Sequence, residues 1–312
     1  MYAVSAANSF TEETDAVKPI LTPREFAEAI GVSESSVKRW VDGGDIEATR
    51  TVGGHRRIPI QAAGRYVRER SLTLVRPDIL GLSDVSAHSA AETGAEDPTT
   101  RFFDYLRAGA EAEARGLILT LYLDGDSVAE IVDGPFRAAL ARVGELWTSE
   151  PSGILWEHRA TQIALRALTR LRSLLPVPAD APVAVGGAPA GDRYILPTMA
   201  VAAVLAGEGM RAVNLGAETP TETLARGVET LDARLAWLSV SHVVAAERLR
   251  DGVLGMLPVL SERGAPLVVG GSQARKLNLP KNGLFYVGGS MVELEALVRG
   301  MKLAPAVQSA VV

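Results

Sequence analysis

Cysteine is absent from the 312 residues of the sequence. Disulfides, a thiol nucleophile and cysteine-ligated zinc or iron–sulfur clusters are therefore excluded. Histidine is scarce as well, and its four occurrences are scattered along the chain: His55, His88, His158 and His242. Because a metal site needs several ligands close together, we expect no multi-histidine metal site.

Long apolar runs are also missing. No stretch reaches the roughly 20 residues that a membrane span needs, and residues 1–20 lack the basic and apolar parts of a signal peptide. We therefore expect a cytoplasmic protein with no membrane partner. The length and the 47% hydrophobic content are enough for about two or three domains with their own cores.

The net charge of −5 argues against a uniformly basic nucleic-acid binder. The charge is unevenly distributed, however. Residues 21–70 contain nine Lys or Arg against seven Asp or Glu, a net of +2, which leaves −7 for the rest of the chain. The positive residues are also clustered within that segment, so it needs an interpretation of its own.

The basic segment begins with the start and stop signals of two short helices. Thr22 precedes a proline and is followed three positions later by Glu25, a capping box that begins the first helix. Gly31 ends that helix. Ser33 can cap a second helix, which runs to about residue 42 and stops at a pair of glycines. Two short helices joined by a tight glycine turn predict a helix-turn-helix.

A β-hairpin follows the second helix. Residues 46–51 and 55–59 flank the turn Val52-Gly53-Gly54, whose glycines allow the backbone to reverse sharply. The whole stretch 21–60, from LTPREF to HRRIPI, resembles the winged helix-turn-helix of MerR-type and excisionase-type DNA binders. The resemblance implies that the partner is double-stranded operator DNA. The alternative is a small structural helical hairpin with a solvated basic face.

In a winged helix-turn-helix, the second helix enters the major groove while the wing neutralises neighbouring phosphates. On that basis the predicted DNA-binding residues are Ser35, Ser36, Lys38 and Arg39 from the helix, and Arg50, His55, Arg56 and Arg57 from the wing. One small domain covers only part of the interface that a specific operator needs. We therefore also expect self-association, as a dimer or a tetramer.

The pattern changes on both sides of this domain, which we place at 21–71. Residues 1–20 are polar and aperiodic and predict a tail. Residues 72–98 lose periodicity and contain the small, polar run SAHSAAETGAEDP. This composition predicts a linker in which His88 is solvated.

Helical apolar patterns return over residues 99–176. They lie at 99–107, 110–124, 127–147, with an interruption at Pro135, and 154–175. Helices of this length joined by short connections predict a four-helix bundle.

The C-terminal part, residues 180–304, alternates short apolar runs with helical segments and precedes a tail at 305–312. The runs are 183–185, 212–215, 235–240, 267–269 and 284–287, and the helical segments between them are 196–207, 221–231, 247–261 and 292–303. This alternation predicts an α/β doubly wound parallel sheet, Rossmann-like, with ligands at the carboxyl ends of its strands. No GxGxxG is present, so a nicotinamide cofactor is poorly supported.

The stretch from Trp147 to the adjacent Glu157 and His158 combines a large aromatic residue, an acid and an imidazole. Either Trp147 closes one helix as a core residue while the other two open the next on its solvated face, or all three face a pocket. Their spacing, Trp-x9-Glu-His, and the surrounding helices resemble the helical module of cobalamin-binding photoreceptor regulators of the MerR and CarH type. The resemblance implies that these residues cover the upper face of a corrin ring.

The same family carries Asp-x-His-x-x-Gly after the first strand of its Rossmann module, and that histidine coordinates cobalt from below. In the matching stretch Asp192 is kept, Tyr194 replaces the histidine and Pro197 replaces the glycine. A second family signature is Ser-x-Leu followed, after a long gap, by Gly-Gly. It is matched here by Ser239-Val240-Ser241, where Ser241 replaces the leucine, and by Gly270-Gly271. By resemblance these residues accommodate the nucleotide tail of the ligand.

A neutral phenol with a pKa of about 10 is a poor cobalt ligand beside a neutral imidazole. Light-sensing family members also carry a histidine directly after the motif tryptophan, where this chain has Thr148. His242 follows the third strand but does not match the family ligand, and we interpret it as a loop or pocket-edge histidine. Histidine-ligated cobalamin binding is therefore predicted to be lost. Cobalamin held differently, another tetrapyrrole-like ligand and no ligand at all remain open.

Three functions fit these features. The first, which we favour, is a transcriptional regulator, specifically a repressor, that is not an enzyme; a cobalamin-dependent light sensor is its alternative form. The second is a corrinoid carrier of a methyltransferase system, which shares the bundle and Rossmann modules but needs the lower histidine and has no use for a DNA-binding domain. The third is a scaffold or anti-repressor that acts only through protein contacts.

Overall fold

The structure, a computed structural model, describes residues 20–91, 96–149 and 152–301. The side chains of residues 146–149 lie outside that description, as do the predicted C-terminal tail and all of the predicted N-terminal tail except Ile20. The described chain has the predicted parts: a winged helix-turn-helix, a helical bundle and a parallel sheet.

The winged helix-turn-helix packs short helices against a small antiparallel sheet. Its elements are β1 (Ile20–Leu21), α1 (Pro23–Ala29), α2 (Glu34–Asp42), β2 (Thr49–Arg50), β3 (Arg56–Pro59) and α3 (Ile60–Glu69), with strand order β1-β3-β2. The predicted capping box is present, because the Glu25 amide donates to Thr22 Oγ1 at 3.2 Å and the Thr22 amide donates to the Glu25 carboxylate at 2.7 Å. The buried core of the domain includes Phe26, Val37, Ile58 and Tyr66.

The segment between the wing and the bundle is helical, so the predicted linker over 72–98 is wrong for residues 77–91. A 3-10 turn at Pro77–Leu80 leads into α4 (Ser83–Ala91). Apolar side chains hold both elements against the rest of the protein, because burial removes them from water. The buried ones are Leu80, Leu82 and Val85.

The bundle contains the predicted helices. They are α5 (Pro98–Ala108), α6 (Glu111–Asp124), α7 (Val128–Ile131), a π-helical turn at Val132–Phe136, α8 (Arg137–Ser149) and α9 (Gly153–Leu174). The interruption predicted at Pro135 is this π-helical turn, in which Gly134 has a non-helical backbone (φ −84°, ψ −112°). A proline disfavours the helical conformation in the residue before it, so the helix divides into α7 and α8 here.

α4 lies in close contact with α6. A Cβ atom on Gly116 of α6 would come within 1.9 Å of the backbone oxygen of Asp84. The buried Asp84 carboxylate accepts from Arg170 Nε of α9 at 2.9 Å and from an arginine of α6. His88 is only 3% exposed, and its Nδ1 lies 3.1 Å from the Tyr105 hydroxyl. The prediction of a solvated histidine is therefore wrong, because α4 is packed rather than free.

The C-terminal part is a parallel sheet with the strand order β5-β4-β6-β7-β8. Its strands are β4 (Val183–Gly187), β5 (Arg211–Asn214), β6 (Leu235–Ser239), β7 (Leu267–Gly270) and β8 (Phe285–Val287). The helices are α10 (Ile195–Gly207), α11 (Thr221–Thr230), α12 (Ala246–Gly255), α13 (Leu257–Arg263) and α14 (Met291–Gly300). The chain changes direction across the sheet between β4 and β6, and open sheets bind ligands at such a switch point.

α3 joins the winged helix-turn-helix to the bundle. The Arg68 guanidinium donates to the backbone oxygens of Tyr122, Gly125 (2.7 Å) and Asp126 (2.6 Å). These carbonyls lie at the C-terminal end of α6, where a helix has no donors of its own and favours a positive charge. Gln61 of α3 donates to a backbone oxygen near the end of α9 at 3.1 Å.

Candidate functional site

The first candidate site, called the basic surface below, is the set of eight residues predicted to contact DNA. All of them are exposed or half-buried, on α2 and on the wing, whereas Val37 on the opposite side of α2 is buried. They are Ser35, Ser36, Lys38, Arg39, Arg50, His55, Arg56 and Arg57. The fold therefore brings the predicted residues onto the helix and hairpin that a winged domain uses for DNA.

The N-terminus of α2 is organised around Ser33. Its hydroxyl accepts from the Ser36 amide at 3.2 Å and lies 2.9 Å from the hydroxyls of both Ser35 and Ser36. Lys38 pairs with Glu34 of the preceding turn at 2.8 Å. Arg39 makes no ion pair with any residue in the described chain, so its charge is available to a partner.

Asp42, at the end of α2, clamps the wing. Its carboxylate accepts from Arg56 Nε (2.9 Å) and Nη2 (2.7 Å) and from Arg50 Nη2 (2.8 Å). The hydrogen bond from Arg56 is the largest cause that holds the pKa of Asp42 below its usual value. Sequence reasoning missed Asp42, because its partners are 8 and 14 residues away and neither spacing is a local motif.

A groove of about 340 Å³ separates the wing from the two helices. His55, Arg56 and Arg57 line it on the wing side, and Lys38 lines it on the helix side. Arg24, which sequence reasoning did not select, lines it as well. Four cationic side chains and one histidine around the groove suit a phosphate backbone, and the one acid that lines it, Glu34, is paired with Lys38.

The second candidate site is a cavity of about 1200 Å³ between the sheet and the bundle, called the cleft below. Its walls are the carboxyl ends of β6, β7 and β8, the first turns of α10 and α14, and the start of α8. The residues assigned by resemblance to a nucleotide tail all line it: Ser239, Ser241, Gly270 and Gly271. The structure therefore brings these distant parts of the sequence together.

The inner end of the cleft combines a nearly buried serine and a tight backbone. Ser239 is only 3% exposed and lines the cleft. Gly271 has φ +103°, and a Cβ there would lie 2.4 Å from the backbone oxygen of Val240. Trp237, missed by sequence reasoning, also lines the cleft and donates from Nε1 to the Thr198 hydroxyl at 2.9 Å.

Asp133 connects the bundle to the sheet at the mouth of the cleft. Its Oδ2 accepts from the amides of Met291 (2.7 Å) and Val292 (3.0 Å). These are amides of the first turn of α14, which have no acceptor within the helix. Sequence reasoning missed Asp133, because the interaction spans more than 150 residues.

The predicted lower-face residues meet at the switch point between β4 and β6. Asp192 is fully buried, and its Oδ1 accepts from the Tyr194 amide at 3.0 Å. Its Oδ2 accepts from the amides of Ser241 (2.6 Å) and His242 (2.9 Å). One carboxylate therefore fixes the loops after both strands. The Tyr194 side chain is 59% exposed and is not part of the cavity wall.

The predicted upper-face residues are only partly described. Glu157 and His158 lie in the first turns of α9, with Oε2 and Nε2 3.5 Å apart. His158 is 76% exposed, and neither residue is part of the cavity wall. Trp147 is in α8, but its side chain and that of Thr148 lie outside the described residues. That Trp147, Glu157 and His158 together cover one face of a corrin ring therefore remains a prediction.

Two family models match the chain. Residues 20–62 match the helix-turn-helix domain, and residues 99–172 match the B12 binding domain. The chain carries both domains. The helix-turn-helix domain covers α1, α2 and the wing, and the B12 binding domain match covers the bundle from α5 into α9. Neither match reaches the parallel sheet.

Solved structures that resemble the chain include proteins that bind corrinoids. The monomethylamine corrinoid protein of Methanosarcina barkeri is 15% identical, with a TM-score of 0.48, over 65% of this chain and 98% of that one. The methanol:cobalamin methyltransferase complex of the same organism is 14% identical, with a TM-score of 0.33, over 69% and 84%. A cobalamin-binding protein of Desulfitobacterium hafniense is 15% identical, with a TM-score of 0.34, over 65% and 98%. No curated relative matches the chain.

The described residues contain no cluster of His, Asp and Glu side chains that could hold a metal ion. None of the helices in the described ranges has both the length and the apolarity of a membrane span.

Proposed function

We propose that the protein is a sequence-specific DNA-binding transcriptional regulator whose B12 binding domain takes its ligand without the family's lower histidine. The observation that carries this proposal is the direct contact between the two domains. Arg68 of α3 caps the C-terminus of α6, and α6 lies within the B12 binding domain match. A change in the bundle therefore acts directly on the helix that follows the wing.

Repression is the form of regulation that we propose. A repressor needs only to occupy its operator, and the basic surface is exposed on the far side of α2 from the core. A corrinoid carrier would have no use for that surface. A light sensor of the family's type would need histidines where this chain has Thr148 and Tyr194.

The cleft supports a ligand of the corrinoid class. Ser239 and Ser241 line the cleft, and a serine hydroxyl can both donate a hydrogen bond to a ligand and accept one from it. Apolar side chains also remain exposed at the carboxyl edge of the sheet, namely Tyr194, Ile195, Leu215 and Val244. A large flat ring would cover such a surface. Ser239 and Ser241 would hold the tail of the ligand, and the corrinoid would supply a cobalt centre.

An electrophoretic mobility shift assay tests the regulator directly. We expect the protein to retard DNA from the promoter of its own gene, and to retain it against an excess of scrambled DNA of equal length and composition. Specific complexes are typically about 10³-fold or more tighter than non-specific ones at physiological salt. Equal retardation of both DNAs, or none, would remove the proposal in favour of a carrier or a scaffold.

Adenosylcobalamin added in the dark is expected to bind, and green light is expected to leave the oligomeric state unchanged. The first expectation rests on the open cleft, and the second on the loss of both family histidines. Absorbance after gel filtration and light scattering before and after illumination measure the two results. Other tetrapyrroles serve as comparison ligands.

Ser239→Ala provides the matched variant for this titration. Removing one ligand hydrogen bond worth about 1 kcal/mol should weaken binding roughly fivefold. Thr169→Ala on α9 should leave binding unchanged, because the Thr169 hydroxyl donates only to the Leu165 backbone oxygen of its own helix. Light-driven assembly of the unmodified protein would contradict our interpretation of Thr148 and Tyr194.

A further inference from the structure

One acid, Asp42, is bonded to two arginines of the basic surface. It is the last residue of α2, and its side chain is 43% exposed. A negative charge at the C-terminus of a helix opposes the helix dipole, and a negative charge beside DNA repels the phosphates. Both effects are unfavourable, so the contacts that Asp42 makes with its partners have to offset them.

The two arginines need a negative group between them. Arg50 of β2 and Arg56 of β3 lie directly opposite each other in the antiparallel pairing of the wing. Directly opposite side chains share one face of a hairpin, and like charges in that position repel each other. Because β2 is only two residues long, few backbone hydrogen bonds resist the repulsion, and a short hairpin is marginally stable on its own.

Asp42 supplies this negative group from α2. Its Oδ1 accepts from Arg50 Nη2 (2.8 Å) and from Arg56 Nε (2.9 Å), and its Oδ2 accepts from Arg56 Nη2 (2.7 Å). One carboxylate therefore fixes both strands of the wing to the end of α2. Arg56 is 22% exposed and lines the groove between the wing and the helices, whereas Asp42 is not part of the groove wall. The carboxylate thus holds Arg56 without occupying the groove.

The hydrogen bonds to Asp42 do not use every N–H group of the two guanidinium groups. They involve Nε and Nη2 of Arg56 but only Nη2 of Arg50. A guanidinium carries five N–H groups in a rigid plane, so a second acceptor can bind to another edge of the same group. Phosphate oxygens suit such an edge, because they accept charge-assisted hydrogen bonds from arginine.

We propose that Asp42 is a positioning residue for DNA binding, which holds Arg50 and Arg56 so that their remaining N–H groups meet phosphates of the DNA backbone. This inference rests on the proposed function. Asp42 strengthens DNA binding although it is negatively charged, because a wing that is fixed to α2 contacts the backbone while α2 lies in the major groove. The opposite role would be masking, in which the carboxylate withholds the two arginines from DNA.

Asp42→Asn in the full-length protein distinguishes positioning from masking. We expect this variant to bind promoter DNA and scrambled DNA about fivefold more weakly, the effect of one lost hydrogen bond of ordinary strength. The slope of log affinity against log salt should flatten by about 0.9, the value for one lost phosphate contact. Asp42→Glu keeps the carboxylate and should restore both quantities. Fluorescence anisotropy at several salt concentrations measures them.

Asp45→Asn is the matched control, because it removes the same charge from the same domain. Asp45 pairs with Arg70 at 3.7 Å, and neither residue lines the groove. This variant should bind both DNAs as tightly as the unmodified protein or slightly more tightly. If Asp42→Asn behaved like the control, or bound more tightly with a steeper salt slope, the positioning role would be overturned.

Limited digestion with trypsin tests the contact between Asp42 and the wing without DNA. Trypsin cleaves after arginine, and it cuts most readily where an exposed loop is not held in place. We expect faster cleavage after Arg50 and Arg56 in Asp42→Asn than in the unmodified protein, and no change in Asp45→Asn. The melting temperature should be the same in all three proteins. Unchanged cleavage in Asp42→Asn would overturn the proposal.

The two DNAs separate this inference from the proposed function. If the unmodified protein bound both DNAs equally, the sequence-specific regulator would be refuted, while a weaker affinity of Asp42→Asn for both would still support the positioning role. If it bound neither DNA, the inference and the proposed function would both be overturned.

Discussion

Gly116→Ala is expected to lower the free energy of unfolding by about 3 kcal/mol or more, because overpacking against backbone atoms has no cheap relaxation. The added Cβ would lie 1.9 Å from the Asp84 backbone oxygen and 2.7 Å from the Cβ of His88. α4 would have to move away from α6. Urea unfolding monitored by circular dichroism measures the effect.

Gly144→Ala is the matched control, since both glycines lie inside helices and a Cβ on Gly144 meets no atom within 4 Å. Alanine is the better helix former, so this variant should gain about 0.5–1 kcal/mol. If the two variants behaved alike, α4 would not be packed on the bundle, and residues 72–98 would be the linker that their composition indicates.

The double variant Arg56→Ala, Arg57→Ala is expected to weaken binding to every DNA sequence alike. Each lost phosphate contact should flatten the slope of log affinity against log salt by about 0.9, so two contacts give about 2. Arg39→Ala should instead cost about 1–3 kcal/mol on the operator and relax specificity, because the second helix of a winged helix-turn-helix is the one that enters the major groove. Fluorescence anisotropy at several salt concentrations measures both quantities.

Arg65→Ala is the control within the same domain, because Arg65 lies on α3 and pairs with Glu47 at 3.4 Å. It should leave the salt slope unchanged. Arg57 makes no ion pair within the described residues, whereas Arg56 is held by Asp42, so the single variants should differ. An unchanged affinity and slope in the double variant would refute the assignment of the wing.

Sequence signals predicted the helix starts, turns and helix interruptions well where a single residue or a short motif determines them. The capping box at Thr22, the hairpin glycines before His55 and the interruption at Pro135 each lie where the sequence placed them. The alternation of apolar runs likewise gave the parallel sheet. These features depend on neighbours within a few residues, which a single sequence displays.

α4 could not be recognised in the same way. Its sequence, SDVSAHSAA, has no apolar stripe with helical spacing. It packs because small side chains and Gly116 allow two backbones to approach, and that complementarity belongs to two distant segments at once. Composition alone therefore indicated a linker.

The candidate sites, like the fold, were predicted in their local features and not in their long-range contacts. Of the residues that the resemblance named, Ser239, Ser241, Gly270 and Gly271 line the cleft, whereas Glu157, His158, Asp192 and Tyr194 do not. The sequence also did not show that Asp192 fixes two loops, because its contacts span about 50 positions. Asp42 and its two arginines are also joined only by the folded hairpin. Sequence patterns therefore predicted which types of residue each site contains. Which of these residues bind to the same side chain depends on contacts between distant parts of the chain.

The segment between the two matched domains also determines whether the protein can be divided into fragments that fold separately. A cut between residues 62 and 99 would look natural from the domain matches. It would separate Arg68 from the carbonyls at the end of α6, or expose Leu80 and Leu82 to water. Each fragment would then expose to water a surface that is buried in the whole protein. We therefore expect the helix-turn-helix domain and the bundle to unfold as one cooperative unit, so that a partner bound by one of them would also stabilise the other.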